Sequence, residues 1–319
     1  IFFAALMGVL YHLGLMQRVI AGLAWCLRKT MGVTATEALA VAANIFVGQT
    51  EAPLCVRPYI DRMTRSQLTV LMAGGFATIA GSVLGAYVIM LGGADEAERI
   101  LFAKHLLIAS VLSAPAAIAM AKIIVPETEE PADETGVTIA SAAETRNVLD
   151  AAAVGATDGL RLGLNVACML IAFVALIALV NWPLEAIGDW GPIAAARENA
   201  GIGPLTLQLL LGWLLTPLAW VMGVPWADCV AFGSLLGEKL VVTEFVAFGS
   251  LSEMMHAPDT TLDFRTTVIA AYALCGFANF PSIAIQLGGI SALAPGRRSD
   301  LASLALRAMF AGLFVRGAS

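Results

Sequence analysis

Four stretches of this sequence carry no charged residue over a length that outruns the thickness of a bilayer. They are residues 66–94, 162–184, 199–227 and 266–296, of 29, 23, 29 and 31 residues. A helix crosses the hydrocarbon core in about 20 residues, whereas the mean helix of a soluble domain is only about 11–12 residues. Backbone polar groups find no water at that depth, so such stretches must fold as helices. Composition agrees: 59% of the 319 residues are hydrophobic and 13% are charged, against about 25% charged in a soluble domain. Mean hydropathy is +0.83. A soluble enzyme and a disordered chain are excluded. The net charge of −6 leaves no basic footprint for a nucleic acid. The fold class expected is all-α, a polytopic membrane protein.

Along the chain, residues 1–17 read as a span entered part-way, with further chain expected before Ile1. Residues 18–30 (RVIAGLAWCLRKT) read as an amphipathic helix lying in the interface, with Arg18, Arg28 and Lys29 toward headgroups. Residues 35–61 are apolar but interrupted by GQTEAP, and 204–252 are interrupted again at GEKLVVTEF. Long spans are expected at 66–92, 105–125, 162–182 and 266–294. An acidic stretch (126–136) and a mixed helix around 139–158 lie between them, and a final helix covers 301–315. The five cysteines form no CxxC pair and read as small buried free thiols. His12, His105 and His256 are scattered and form no ligand set.

The halves resemble one another. Thr50-Glu51 is followed by Gly75-Phe76-Ala77-Thr78 and then Gly81-Ser82; Thr243-Glu244 is followed by Gly276-Phe277-Ala278-Asn279 and then Ser282. If 35–61 and 204–252 are re-entrant hairpins, eleven Lys and Arg fall in inside loops and four in outside loops, as the positive-inside rule requires. Three spans then separate the hairpins, so the second repeat is inverted. Inverted repeats with broken helices are the architecture of secondary transporters. The organisation expected is a partial span and interfacial helix (1–34), a first repeat (35–125), a scaffold region (126–203) and a second, inverted repeat (204–319).

A carboxylate at membrane depth costs a few kcal/mol, whereas hydroxyl and amide groups in a span often just bond to a neighbouring helix. Glu51 and Glu244 stand in apolar surroundings. Pro53 cannot continue a helix ladder, and Gly48 suits a tight tip. Gln49, Thr50 and Glu51 are candidates to line a site for a polar, neutral substrate, with Glu51 as a buried helix cap the bland alternative. Asn279 and Ser282 break the span 266–294 near Pro281, and Phe277 beside them is either core or a stacking partner. A Na⁺ site built from neutral oxygens would suit Asn44, Thr78 and the carbonyls of Val47 and Ile79. Lys239 either pairs with a carboxylate or marks a hairpin tip.

At these motifs the sequence resembles the concentrative nucleoside transporter family. The segments are 44–54 (NIFVGQTEAPL), 74–86 (GGFATIAGSVLGA), 237–247 (GEKLVVTEFVA), 276–282 (GFANFPS) and 294–301 (APGRRSDL). The resemblance implies a homotrimer in the lipid bilayer, with re-entrant hairpins, interfacial helices and discontinuous transmembrane helices. It implies alternating-access symport of a nucleoside such as uridine with Na⁺, or with H⁺ in some members, across a bacterial inner membrane. Position by position, Gln49, Thr50, Glu51 and Val83 match residues that meet the nucleobase. Glu244, Asn279, Ser282 and Phe277 match residues at the ribose, and Asn44, Val47, Thr78 and Ile79 match the Na⁺ site. Thr243 stands where Asn is common, and Thr78 where Ser is often found. An intramembrane enzyme would need a nucleophile or metal set at depth, and no HExxH, GxSxG or pair of Asp within spans is present. A passive channel or a carrier of another polar solute is the other alternative.

Overall fold

The computed structural model describes residues 2–131, 145–199, 203–257 and 262–318. Residues 132–136 of the acidic stretch and 139–144 of the expected mixed helix lie outside it, as does the side chain of Ser82. Every regular element among the described residues is helical. The chain divides into two compact units. One comprises Ile1–Gly163 with Cys275–Ser319, the other Leu164–Leu274.

In the first unit, α1 (Phe2–His12) ends at Leu13-Gly14 and α2 (Leu15–Met31) leaves it at 83°. Gly14 makes the corner at φ 71°, a left-handed conformation that costs glycine nothing. The expected span 1–17 is therefore shorter, and the interfacial helix begins at Leu15 rather than Arg18. Met16, Ile20 and Leu27 form its buried stripe, while Arg18, Trp25, Arg28 and Lys29 are exposed. The Lys29 ammonium lies 5.0 Å from the Trp25 ring centroid.

Next come α3 (Ala35–Asn44), the short α4 (Ala52–Cys55), a 3-10 turn over Arg57–Arg62, and the halves α5 (Arg65–Ala77) and α6 (Gly81–Gly92). Helix α7 (Glu96–Ile124) follows. Among the described residues it is the one helix long and apolar enough to cross a bilayer alone. The unit closes with the start of α8 (Val148–Gly188), then α14 (Phe280–Leu293) and α15 (Arg298–Ala318). Glycines set the packing distances. A Cβ on Gly312 of α15 would lie 2.6 Å from Cβ of Phe76, and one on Gly74 of α5 would lie 3.2 Å from Nδ2 of Asn44.

Two capping boxes start α3 and α5: Thr34 with Glu37, and Thr64 with Gln67. Each satisfies orphan N–H groups of a first turn. They are joined to each other, because Gln67 Nε2 donates to Thr34 Oγ1 at 3.0 Å. Lys122 Nζ sits 2.6 Å from Oε1 of the fully enclosed Glu37 carboxylate and 3.2 Å from Oε2 of Glu127. Thr64 Oγ1 donates to that same Glu127 oxygen at 2.9 Å. This closed polar circuit ties the starts of α3 and α5 to the end of α7. Nearby, Asp300 of the 294–301 motif takes Arg65 at 2.7 Å and Arg297 at 3.0 Å, and Arg297 also donates to the Met63 carbonyl.

In the second unit, α9 (Gly191–Asn199), α10 (Leu207–Val221), α11 (Cys229–Val241), α12 (Glu244–His256) and α13 (Phe264–Leu274) follow the remainder of α8. Helices α10 and α11 pack through small residues: a Cβ on Gly233 would lie 2.5 Å from the Gly212 carbonyl oxygen. Buried Asp228 accepts from Thr266 Oγ1 and from the Asp263 N–H. Helix α8 runs unbroken for 41 residues through Asp158 and Arg161, where a mixed helix and a separate span were expected. Two charged residues do not end a helix. The cysteine reading also needs correction, since Cys26 and Cys168 are exposed while Cys55, Cys229 and Cys275 are buried.

Candidate functional site

The first unit gathers its polar side chains where two helices are broken. Between α5 and α6 the chain is extended at Thr78 (φ −111°, ψ 166°) and at Ala80 (φ −66°, ψ 136°). The second break is residues 275–279. The expected break at Pro281 is displaced: Pro281 lies in the first turn of α14, where its missing N–H is no loss. Gly276 brings the breaks together, since a Cβ there would lie 3.0 and 3.1 Å from the carbonyl oxygens of Phe76 and Ala77.

After α3 the chain unwinds through Ile45, Phe46 and Val47. Ser110 Oγ of α7 donates to the Ile45 carbonyl at 3.1 Å, and the Gly81 N–H donates to the Phe46 carbonyl at 3.1 Å. The unwound segment is thus held against α7 and the start of α6. Asn44 is fully buried; its Nδ2 donates to the Ala40 carbonyl at 3.1 Å, and its Oδ1 has no hydrogen-bond partner. A buried amide oxygen left unpaired costs roughly 1–3 kcal/mol. Thr78 donates its hydroxyl proton to the Gly74 carbonyl at 2.8 Å, which leaves its oxygen lone pairs to accept. Val47 and Ile79 are buried too. Among the described residues no group of three or more His, Cys, Asp or Glu is gathered. The side-chain oxygens of Asn44 and Thr78 are neutral.

The tip between α3 and α4 is a turn in which the Glu51 and Ala52 N–H groups bond to the Gly48 carbonyl. The Glu51 carboxylate reaches back to the Gly48 N–H at 3.3 Å. Gly48 is not among the positive-φ glycines, and a Cβ there would meet Ala80 Cβ at an ordinary 3.7 Å, so the tip does not demand glycine as expected. Thr50 and Glu51 are exposed. Glu51 also lines a cavity of about 230 Å³ with Tyr11, His12, Phe46, Val47, Ala80 and Asp158.

Gln49 is buried and central. Its Nε2 donates to Ser282 Oγ at 3.1 Å, and its Oε1 accepts from Gln286 Nε2 at 3.0 Å. Gln286 Nε2 also donates to the Met72 carbonyl at 3.1 Å. Asn279 caps α14, its Oδ1 taking the Ser282 N–H at 2.9 Å. Phe277 and Val83 are half-buried. Gln49, Ser282 and Asn279 therefore form one hydrogen-bonded set, with Asn44 and Thr78 brought against α5 at Gly74. Sequence reasoning missed Gln286 and Arg316. Arg316, buried near the end of α15, donates to the Ala109 carbonyl at 3.0 Å, and its Nε stands 3.0 Å from where a Gly276 Cβ would be.

Glu244 lies in the second unit. It is buried in the first turn of α12, after Thr243, whose side chain caps that helix at the Val246 N–H. Lys239 is buried and donates to the Ala273 carbonyl at 2.7 Å, at the end of α13.

Set beside known proteins, residues 105–319 match the family model described as the C-terminus of Na⁺-dependent nucleoside transporters. Residues 1–94 match one described as nucleoside recognition. Sodium/nucleoside cotransporter 1 of Rattus norvegicus is 44% identical over 328 residues, covering 99% of this chain and 48% of the rat protein. An uncharacterized transporter of Haemophilus influenzae is 45% identical over 315 residues, covering 98% of this chain and 71% of that protein. The solved structure of CNTnw in an inward-facing substrate-bound state superposes with a TM-score of 0.86 at 43% identity, covering 99% of this chain and 71% of that one. An outward-facing CNTnw variant superposes with a TM-score of 0.86.

The fold is that of a polytopic, all-helical membrane transporter. The chain belongs to the concentrative nucleoside transporter family. It spans about half the length of the first curated relatives it matches.

Proposed function

We propose that the protein containing this chain imports nucleosides by symport with Na⁺, through alternating access, and that it acts as a homotrimer in a bacterial inner membrane. The observation that carries the reading is the hydrogen-bonded set of Gln49, Asn279 and Ser282 at the meeting of two helix breaks. A nucleoside is neutral and rich in hydroxyl and amide edges, so amide and hydroxyl side chains are the partners it needs. Gln49, with Thr50, Glu51 and Val83, is the proposed nucleobase side. Asn279, Ser282 and Phe277 are the proposed ribose side, with buried Glu244 as an acceptor for ribose hydroxyls. Asn44 and Thr78 are proposed to hold Na⁺ with the carbonyls of Val47 and Ile79, and the unpartnered Asn44 Oδ1 supports this. Na⁺ entering down the membrane potential would contribute roughly 2.3 kcal/mol per 100 mV to uptake. The hairpins and broken helices are proposed to form repeats at 35–125 and 204–319, joined through a scaffold region at 126–203, with 1–34 as further scaffold.

The test is counterflow of radiolabelled uridine into liposomes holding the full-length protein, with and without a Na⁺ gradient. Uptake that rises with inward Na⁺ is expected. Uptake driven by H⁺ and indifferent to Na⁺ would overturn the ion assignment, and no uptake of any nucleoside would overturn the reading.

A further inference from the structure

Gln286 belongs to no motif that the sequence reading singled out, yet it is fully buried in the middle of α14, one helical turn beyond Ser282. Both residues reach Gln49 from the same helix, as i, i+4 neighbours do. The bonds between them have a fixed direction. The Met72 carbonyl can only accept. The atom of Gln286 that faces it at 3.1 Å must therefore be the amide nitrogen. The second hydrogen of that nitrogen goes to Gln49 at 3.0 Å, so the Gln49 atom turned to it must be Oε1. This leaves Gln49 Nε2 to face Ser282, donating to its hydroxyl oxygen at 3.1 Å. A backbone carbonyl thus sets the orientation of two carboxamides and one hydroxyl in sequence. Neither amide can flip without setting two acceptors, or two donors, against each other in a buried place.

We propose that Gln286 is a positioning residue that gives the nucleobase side of the site a donor polarity. The inference rests on the reading of Gln49 as a nucleobase contact. With one N–H given to Ser282 and one lone pair of its Oε1 taken by Gln286, Gln49 keeps its remaining N–H for the base. A base edge carrying a carbonyl oxygen satisfies that donor. One carrying an amino group sets donor against donor there. Gly75 is part of the arrangement, since a Cβ there would lie 2.7 Å from Gln286 Nε2 and 3.0 Å from Gln49 Cβ.

The experiment uses the full-length protein in liposomes at saturating Na⁺, measuring the apparent KM for uridine and for cytidine, which carry a carbonyl and an amino group at the same position of the base. The wild type is expected to take uridine with the lower KM. Gln286→Met keeps the length of the side chain and removes both donors, freeing the Gln49 amide to turn. The cytidine-to-uridine KM ratio should then fall about fivefold, the worth of one hydrogen bond, with the Na⁺ dependence of uptake unchanged. Gly75→Ala, which displaces the same amides without removing them, should move the ratio the same way. A structural role alone would weaken both substrates equally and leave the ratio where it was. An unchanged ratio in both variants, or a wild type that takes both nucleosides with equal KM, overturns the inference while nucleoside transport stands. A wild type that transports neither overturns the transport reading itself.

Discussion

An amide oxygen sealed in a helix bundle without a partner is a debt at the scale of one residue, and Asn44 Oδ1 is such an atom. Its amide nitrogen is engaged at the Ala40 carbonyl, so rotation of the side chain does not relieve it. If Na⁺ is the missing partner, Asn44→Ala should raise the Na⁺ concentration for half-maximal uptake on the order of tenfold, within the range of one charge-assisted contact. Uridine KM at saturating Na⁺ should change little. Uptake titrated against Na⁺ at fixed uridine checks this; a shift in uridine KM alone would move Asn44 to the substrate side. Asn44 was readable in advance because it stands beside an interruption in an apolar run. Gln286 was not, because one amide in an otherwise apolar helix has no spacing pattern, and its meaning comes from chain 237 residues away.

Among the elements, the breaks and their anchors carry the argument. Gly276→Ala would drive a Cβ to 3.0 Å from the Phe76 carbonyl and from Arg316 Nε, and to 3.1 Å from the Ala77 carbonyl. Two of those three neighbours are backbone at a helix end and yield little, so a loss of about 1–3 kcal/mol is expected, as for overpacking. A lower melting temperature in detergent is the measurement. The polar circuit gives a second expectation. Lys122→Met leaves the enclosed Glu37 carboxylate without its cation, and breaking a buried ion pair from one side costs about 3–5 kcal/mol. The double variant Glu37→Gln with Lys122→Met should recover much of that stability; equal melting temperatures for single and double variants would show that the ion pair does not hold these helix ends. The capping pairs of α3 and α5, Thr-x-x-Glu and Thr-x-x-Gln, are local patterns that the sequence analysis did not single out. Their linkage through Lys122 has no local signature, because it joins three elements distant in the chain. Pro281 misled about the break by a few residues, since proline at a helix start and proline inside a helix look alike in sequence.

For the molecule as a whole, the hydrophobic runs dictated the class, since bilayer thickness and backbone hydrogen bonding leave few alternatives. They gave the ends of helices poorly. Charges at 158 and 161 looked like a boundary, yet one helix of 41 residues runs through them. The candidate residues also divide between two units, with Asn44, Gln49, Thr78, Asn279 and Ser282 in one and Glu244 in the other. That division makes a prediction about separable ligands. Glu244→Gln retains volume and keeps an acceptor oxygen but exchanges a carboxylate for an amide, so it weakens the proposed contact to ribose hydroxyls and leaves every proposed Na⁺ ligand in place. A ligand that binds only the folded state raises its stability in proportion to the logarithm of its concentration over Kd. The wild type should therefore melt higher with Na⁺ and higher again with uridine. In Glu244→Gln the Na⁺ increment should persist and the uridine increment should disappear, together with uridine uptake. If both increments vanish, Glu244 supports the fold or the ion instead of the sugar. If both persist and uptake continues, it takes no part in the site.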